Sequence, residues 1–350
     1  MTDSPHEIAT LRPSLEQLKV WQTWGYGMFI HFGISTFLAE EHPSGDHPSS
    51  VYAPDQLDVD QWVRVAKDAG MTYAVMCTKH VAGHCLWPSR HTDYHVGSSG
   101  NPTDVVAAFV TACAKYGVLP RLYYCSMDNH HKFGSKTPTD LGWDGAYFTT
   151  REYQDFQTAQ LEELLSQYGA IAEVWIDIPQ ALPRGYRHDL YRQMRIWQPE
   201  AVILMNQGLG HNGSSCDLAA WPTDALTIER GLPLKRHEPW FELEGQRQYV
   251  PAEVCDTIGQ EWFWLKGDAP RSDQELLGMY LVTRARGANL LLDVPPDRHG
   301  LIPQDSVDAL LRLRDNIEQI GDLRKSSASK RRIYSRSMLV DSVKLPISLR

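Results

Sequence analysis

The chain has 350 residues, 42% hydrophobic and 22% charged, with a formal net charge of −9. That is the balance of a globular protein whose core needs no disulfide staples. The acidic balance, with no basic stripe before about residue 320, argues against nucleic acid as a partner. No apolar run approaches the roughly 20 residues of a membrane helix, so no membrane partner is expected. The first residues, Met1-Thr2-Asp3-Ser4-Pro5, carry neither a basic stretch nor an apolar one, and the expectation is a cytoplasmic protein. Cys77, Cys85, Cys113, Cys125, Cys216 and Cys255 form no C-x-x-C pair, which fits reduced thiols.

In chain order, short apolar runs alternate with helical patterns. Gly27–Phe32 reads as the first strand, and Tyr73–Thr78 follows a helix over Val59–Ala69. Leu119–Cys125 follows a helix over Asp104–Tyr116, and Ile171–Asp177 follows one over Tyr153–Tyr168. Ala201–Asn206 follows Arg187–Trp197, and Asn289–Val294 follows Asp273–Arg286. Strands alternating with amphipathic helices predict βαβ units and a parallel sheet. Gly70, Gly117 and Gly169 stand just before strands, where helix C-cap glycines belong. An open doubly wound sheet would offer a Gly-rich phosphate loop after its first strand; none is present, so a (β/α)8-like barrel fits better. Residues 38–58 and 207–262 read as long irregular loops, of the kind that usually serve a site. From about Arg324 the chain turns basic and Ser-rich without period, so the barrel is expected over 1–323 and a basic tail over 324–350, read as an appendage or a disordered segment to which Met338–Ser348 could add one strand.

Polar residues then fall where a barrel opens. His31, Lys79, His80, Asp128, Asp177 and Asn206 stand at or just beyond strand C-termini, the rim that lines a barrel's site. Trp175 and Asp177, two apart on a strand, share a face. An indole beside a carboxylate suits sugar chemistry, one packing on a pyranose and the other attacking its anomeric carbon. The same Asp177 also fits a helix cap or a strand-end ion pair. His80 and His84, with His31, invite a metal reading, but their spacing matches a metal pair only within a helix, and Gly83 interrupts it. No Gly-x-Ser-x-Gly elbow occurs. Two carboxylates remain, and for a partner of Asp177 the residues alone leave Asp217, Asp224, Glu229, Glu238 and Glu253 open.

A series of short elements now becomes informative as a set. Ile30-His31-Phe32-Gly33, Leu57 to Trp62, Lys67 to Gly70, Thr78-Lys79-His80, Cys85 to Ser89, Asp104-Val105-Val106, Tyr123, Val174 to Asp177 and Leu290 to Gly300 occur in that order. Together they resemble glycoside hydrolase family 29, the retaining α-L-fucosidases, over roughly residues 20–320. The resemblance implies a barrel, catalysis by two carboxylates, and neither metal nor other cofactor. It makes Asp177 the nucleophile and Glu229, in Asp224-Ala225-Leu226-Thr227-Ile228-Glu229, the acid/base, with Glu253 as the reserve. His31, His80, Tyr123 and Trp175 match its sugar-contacting positions, and Glu41, Asp128 and Asn206 are further candidates for the sugar. The implied partner is a small oligosaccharide or glycoside.

The chain departs from the family in places. Val81 stands where a second imidazole is common, Glu41-His42 replaces Glu-Trp, Ser126-Met127-Asp128 replaces Pro-Trp-Asp, and an Arg expected after Asn206 is missing. The β-sandwich that many members carry after the barrel is not expected in the roughly 30 residues that remain. The resulting expectation is a glycosidase with weak or absent activity on simple α-L-fucosides and better activity on a related α-L-sugar or a branched natural glycoside. The alternatives are a carbohydrate-binding protein that has lost catalysis and a metal-dependent barrel hydrolase.

Overall fold

The apolar runs become strands of a single cylinder. The computed structural model describes residues 5–132, 149–206 and 220–321. Its strands are β1 (Tyr26–Ile30), β2 (Tyr73–Lys79), β3 (Leu119–Cys125), β4 (Glu173–Asp177), β5 (Val202–Met205), β6 (Leu226–Glu229), β7 (Trp240–Leu243), β8 (Gln246–Tyr249), β9 (Ala252–Thr257) and β10 (Asn289–Asp293). The helices are α1 (Pro5–Leu11), α2 (Leu15–Thr23), α3 (Ile34–Leu38), α4 (Val59–Asp68), α5 (Val105–Tyr116), α6 (Arg151–Gln167), α7 (Arg184–Trp197) and α8 (Asp273–Ala285), then α9 over residues 304–321. Eight strands form one sheet in the order β5-β4-β3-β2-β1-β10-β9-β6, and each neighbouring pair is parallel. This is a (β/α)8-like barrel.

Local chemistry starts and stops the helices. Asp58, Asp104 and Thr150 accept backbone N–H bonds at the starts of α4, α5 and α6, and Ser272 forms a capping box with Glu275 on α8. Gly70, Gly117 and Gly169 turn the chain toward the next strand with φ of 79°, 66° and 78°, a conformation that costs glycine little.

The barrel closes between β5 and β6 without strand pairing. Asp224 does the work of the missing ladder: its N–H donates to the Ile203 carbonyl at 2.8 Å, and its Oδ2 accepts from the Ile203 N–H at 2.8 Å. Arg195, Arg12 and the Tyr191 hydroxyl hold that buried carboxylate in turn. Asp224 was one of the open candidates for catalysis; it is instead the seam.

The stretch 207–262 is less irregular than expected. It contains β6, β9 and a β7–β8 hairpin, whose Glu244-Gly245 turn has φ of 50° and 75°, as a type I′ turn requires. Strand β4 begins at Glu173, two residues later than the apolar run predicts. The proposed tail over 324–350 and Asp217 lie outside the described residues.

At the N-terminal end of the strands the barrel interior is filled by a charged layer. Arg121 Nη1 donates to Glu173 at 3.1 Å and to Glu253 at 2.8 Å, all three side chains fully buried. Tyr73 O–H donates to Glu253 at 2.8 Å, Trp21 of α2 donates to Glu173, and the guanidinium lies 3.4 Å from the Tyr73 ring centre. Burial pushes the Glu173 carboxyl up, with the Glu253 charge adding to it and Arg121 opposing. Glu253, the reserve acid/base of the sequence reading, therefore belongs to the floor of the barrel, where no substrate reaches it.

Candidate active site

At the other end of the strands two carboxylates meet. Asp177 is the last residue of β4, and different neighbours hold its two oxygens. The Tyr123 hydroxyl donates to Oδ2 at 2.6 Å, and Asn206 Nδ2 donates to Oδ1 at 2.8 Å. The same amide nitrogen lies 3.4 Å from Oε2 of Glu229, the last residue of β6. Those two carboxylate oxygens are consequently no more than about 6 Å apart, close to the roughly 5–5.5 Å carboxyl spacing of a double-displacement site. Thr227, two residues before Glu229 and on the same face of β6, donates to Asn206 Oδ1 and so fixes which way the amide points.

The two carboxylates differ in electrostatics. Burial, and then the neighbouring Asp177 charge, push Glu229 up from 4.5 to about 7; the Asn206 hydrogen bond and Arg230 pull the other way, and Glu41 adds to the rise. Near neutral pH Glu229 thus retains a proton to give. Asp177, with a hydroxyl donating to one oxygen and an amide to the other, is held in a fixed orientation beside it. One acid and one base side by side can protonate a leaving oxygen and attack a carbon on the opposite face.

Rings and imidazoles surround the pair. His31 follows β1, its Nδ1 2.7 Å from the buried Asp293 at the end of β10. Its ring lies 5.7 Å from both His80 and Tyr123 and 5.2 Å from Trp262. Burial, followed by the neighbouring His31 and His42, drives His80 well below the usual histidine range, which keeps it neutral. Asp293 is pushed up to about 6 by burial, with His31 opposing. Phe263 packs 5.0 Å from His80, and the Arg230 guanidinium lies 4.9 Å from the Trp262 ring centre.

Other expected residues have different places. Trp175 is only 2% exposed and stacks on Tyr123 at 5.4 Å, so it backs the ring whose hydroxyl holds Asp177 and leaves almost no indole face to meet a sugar. Asp128 is fully buried against Lys79 at 2.9 Å and His131 at 2.9 Å. Burial opposes its charge, but the Lys79 ammonium and the hydrogen bonds from His131 outweigh it and hold the carboxyl well below its usual range. It braces the loops behind the site and does not enter it. Glu41 is partly exposed and close enough to raise Glu229, so it stays on the rim. His84 lies between the Tyr52 and Tyr94 rings, and among the described residues no three His, Cys, Asp or Glu groups converge to hold a metal ion. Glu238 is exposed.

Thr227, Asp293, Trp262, Phe263 and Arg230 were not anticipated. Asp293 carried the same signal as Asp177, a carboxylate ending an apolar strand, Leu290-Leu291-Leu292-Asp293.

Comparisons with known proteins supply the family. The sequence profile described as Alpha-L-fucosidase matches residues 8–322. The chain belongs to the alpha-L-fucosidase family. Within the family it is 33% identical over 326 residues to Alpha-L-fucosidase 1 of Arabidopsis thaliana, covering 87% of this chain and 60% of that one. It is 31% identical over 314 residues to a putative alpha-L-fucosidase 1 of Oryza sativa subsp. japonica, covering 85% and 57%. The chain thus spans under two thirds of these curated relatives. A putative alpha-L-fucosidase of Bacteroides thetaiotaomicron superposes with a TM-score of 0.73 at 29% identity, over 88% of this chain and 68% of that one.

Proposed function

We propose that this protein is a retaining glycoside hydrolase that removes a terminal α-L-fucosyl or related α-L-glycosyl residue from a small oligosaccharide or glycoside. The observation that carries the reading is the pair Asp177 and Glu229 bridged by one Asn206 amide, with burial and the Asp177 charge pushing Glu229 up to about 7. Family membership and the names of the relatives support the sugar. In the first half-reaction an Asp177 oxygen bonds to the anomeric carbon while Glu229 gives its proton to the departing glycosidic oxygen. In the second, Glu229 takes a proton from water, whose oxygen displaces Asp177 from the same carbon. Tyr123 and Asn206 hold the nucleophile, and His31, His80 and Glu41 line the sugar's side of the mouth. The catalytic unit in this reading is residues 1–323. A reducing, cytoplasmic setting suits the five free, buried cysteines among the described residues.

The test is hydrolysis of an aryl α-L-fucoside, and of a panel of other aryl α-L-glycosides, with the product anomer followed by NMR. Retention requires the α-anomer to appear first. Asp177→Asn should lower kcat by at least about 10³-fold, and azide should rescue Asp177→Gly by forming the β-glycosyl azide. An undiminished Asp177→Asn enzyme, or the β-anomer first, refutes the mechanism. Calorimetric binding of a monosaccharide without hydrolysis of any glycoside would make it a sugar-binding protein instead.

A further inference from the structure

Two residues of this chain hold a backbone conformation that their side chains disfavour, and each directly follows one of the two carboxylates. Ile178 has φ 49° and ψ 46°, and Arg230 has φ 48°. Left-handed backbone is uncommon for any residue with a Cβ and is an outlier for a β-branched one. Of the other non-glycine residues with left-handed φ among the described residues, Ala39 caps α3 and Glu244 makes the hairpin turn, both ordinary uses, and Lys132 follows His131 in a loop. Ile178 and Arg230 are the first residues past strands β4 and β6.

The backbone around each is pinned by the barrel. The Asp177 carbonyl accepts from the Ser126 N–H at 2.9 Å, and the Arg230 N–H donates to the Cys255 carbonyl at 2.9 Å. Beyond the turn, the Ile178 carbonyl accepts from Ala181 at 3.1 Å and its side chain is 7% exposed in the core. Arg230 is exposed, but its guanidinium lies 4.9 Å from the Trp262 ring centre and donates to the Gln260 carbonyl at 2.8 Å. Strain persists only where the surroundings over-determine it. A residue with a Cβ also has a narrow left-handed well, whereas glycine roams widely.

We infer that Ile178 and Arg230 are positioning residues: their paired left-handed turns clamp the ends of β4 and β6 and set the separation and aim of the Asp177 and Glu229 carboxylates. The inference rests on the proposed function above, because it takes those two carboxylates as the reacting pair.

A pair of substitutions isolates the backbone from the side chain. Arg230→Ala and Arg230→Gly lose the same guanidinium, and only glycine relieves the turn; Ile178→Ala and Ile178→Gly form the matching pair in the core. The glycine variant should melt about 2–4 °C above its alanine partner yet show roughly tenfold lower kcat, since small misplacements of reacting groups are costly. KM should stay within about twofold. Stability and activity moving in opposite directions is a result that a merely structural role does not produce. A glycine variant no more stable than its alanine partner, or equally active, overturns the inference. Arg230 is exposed, so that pair decides the matter even if Ile178 variants do not fold. Full activity in Asp177→Asn, or none in the parent enzyme, would defeat the proposed function itself and this inference with it; an active parent with an inactive Asp177→Asn leaves the alanine–glycine comparison to stand alone.

Discussion

The two ends of the barrel solve the same problem in opposite ways. Each brings two carboxylates together, Glu173 with Glu253 at the floor and Asp177 with Glu229 at the mouth. At the floor a guanidinium bridges them in a fully buried layer roofed by Trp21, Trp24 and Tyr73 rings. At the mouth a neutral amide bridges them, and Asn206 brings two donors but no charge. The difference is what separates structure from chemistry. At the floor Arg121 opposes the burial that pushes Glu173 up, to about 8, and the layer is sealed; at the mouth burial, and then the Asp177 charge, push Glu229 up to about 7 against the Asn206 amide and Arg230, and that proton faces the site. The seam carboxylate Asp224 follows the rule of the floor, held by two arginines.

The largest expected effect lies at the mouth. Glu229→Gln should lower kcat by about 10²–10⁴-fold on substrates with poor leaving groups, the usual worth of a general acid. It should lower it far less on aryl glycosides whose leaving group needs no proton. In the parent enzyme the rate should fall as pH rises through about 7, where Glu229 loses its proton, and this limb should vanish in the variant. Linkage gives the stability sign. The folded pKa is raised above 4.5, so the stabilising contribution is full below about 4.5 and lost as pH rises through about 7. Glu229→Gln should therefore gain stability relative to the parent at pH 8–9, by up to about 3 kcal/mol. A pH–rate profile that keeps its basic limb in Glu229→Gln would assign the proton elsewhere.

At the floor the same kind of change should alter stability and spare chemistry. Arg121→Met leaves two buried carboxylates without their cation, a loss of about 3–5 kcal/mol and a melting temperature lower by roughly 10 °C. The fraction that remains folded should keep its kcat. A kcat loss exceeding about tenfold in folded Arg121→Met protein would mean that the floor is coupled to the mouth and that the contrast between them is false.

How much of this was legible follows from the side chains. Strands β1 to β5 and β10 announce themselves because apolar side chains dominate them and each is preceded by a helix, some closed by glycine, as in Gly117 before Leu119–Cys125. Strand β9 did not, because Ala252–Thr257 is fully buried while carrying Glu253, Asp256 and Thr257. A buried polar strand looks like a loop until its partners, here Arg121, Tyr73 and Arg271, are placed. Strand β6 is four residues long, too short for a period to show. In the site, strand ends marked Asp177, His31, His80 and Asn206, since a barrel puts strand ends at its mouth, whereas Tyr123 came from the family resemblance alone. Height within the barrel was invisible: Glu253 and Glu229 are both acidic residues near β-like runs. The register that pairs Thr227 with Glu253, and Glu229 with Cys255, sets Glu253 one face-repeat lower. Likewise Asp128 stands just past β3, but Lys79 turns it inward.

The smallest expected effect is the one that separates these two glutamates. Glu253→Gln keeps the size of the side chain and still accepts from Tyr73 and Arg121, while giving up the charge that Arg121 faces at 2.8 Å. Glu173 keeps a contact with Arg121 at 3.1 Å, so the cation is not orphaned. The expected cost is about 1–3 kcal/mol, that of weakening a buried charged hydrogen bond, read as a melting temperature lower by a few degrees. Activity should stay within about twofold, and the basic limb near pH 7 should remain, because Glu229 and its neighbours at the mouth are untouched. Removing the Glu253 charge also lessens the repulsion that helps to push Glu173 up, so part of the loss should be recovered as pH rises. A Glu253→Gln enzyme that melts like the parent but loses its activity would reverse the assignment of floor and mouth.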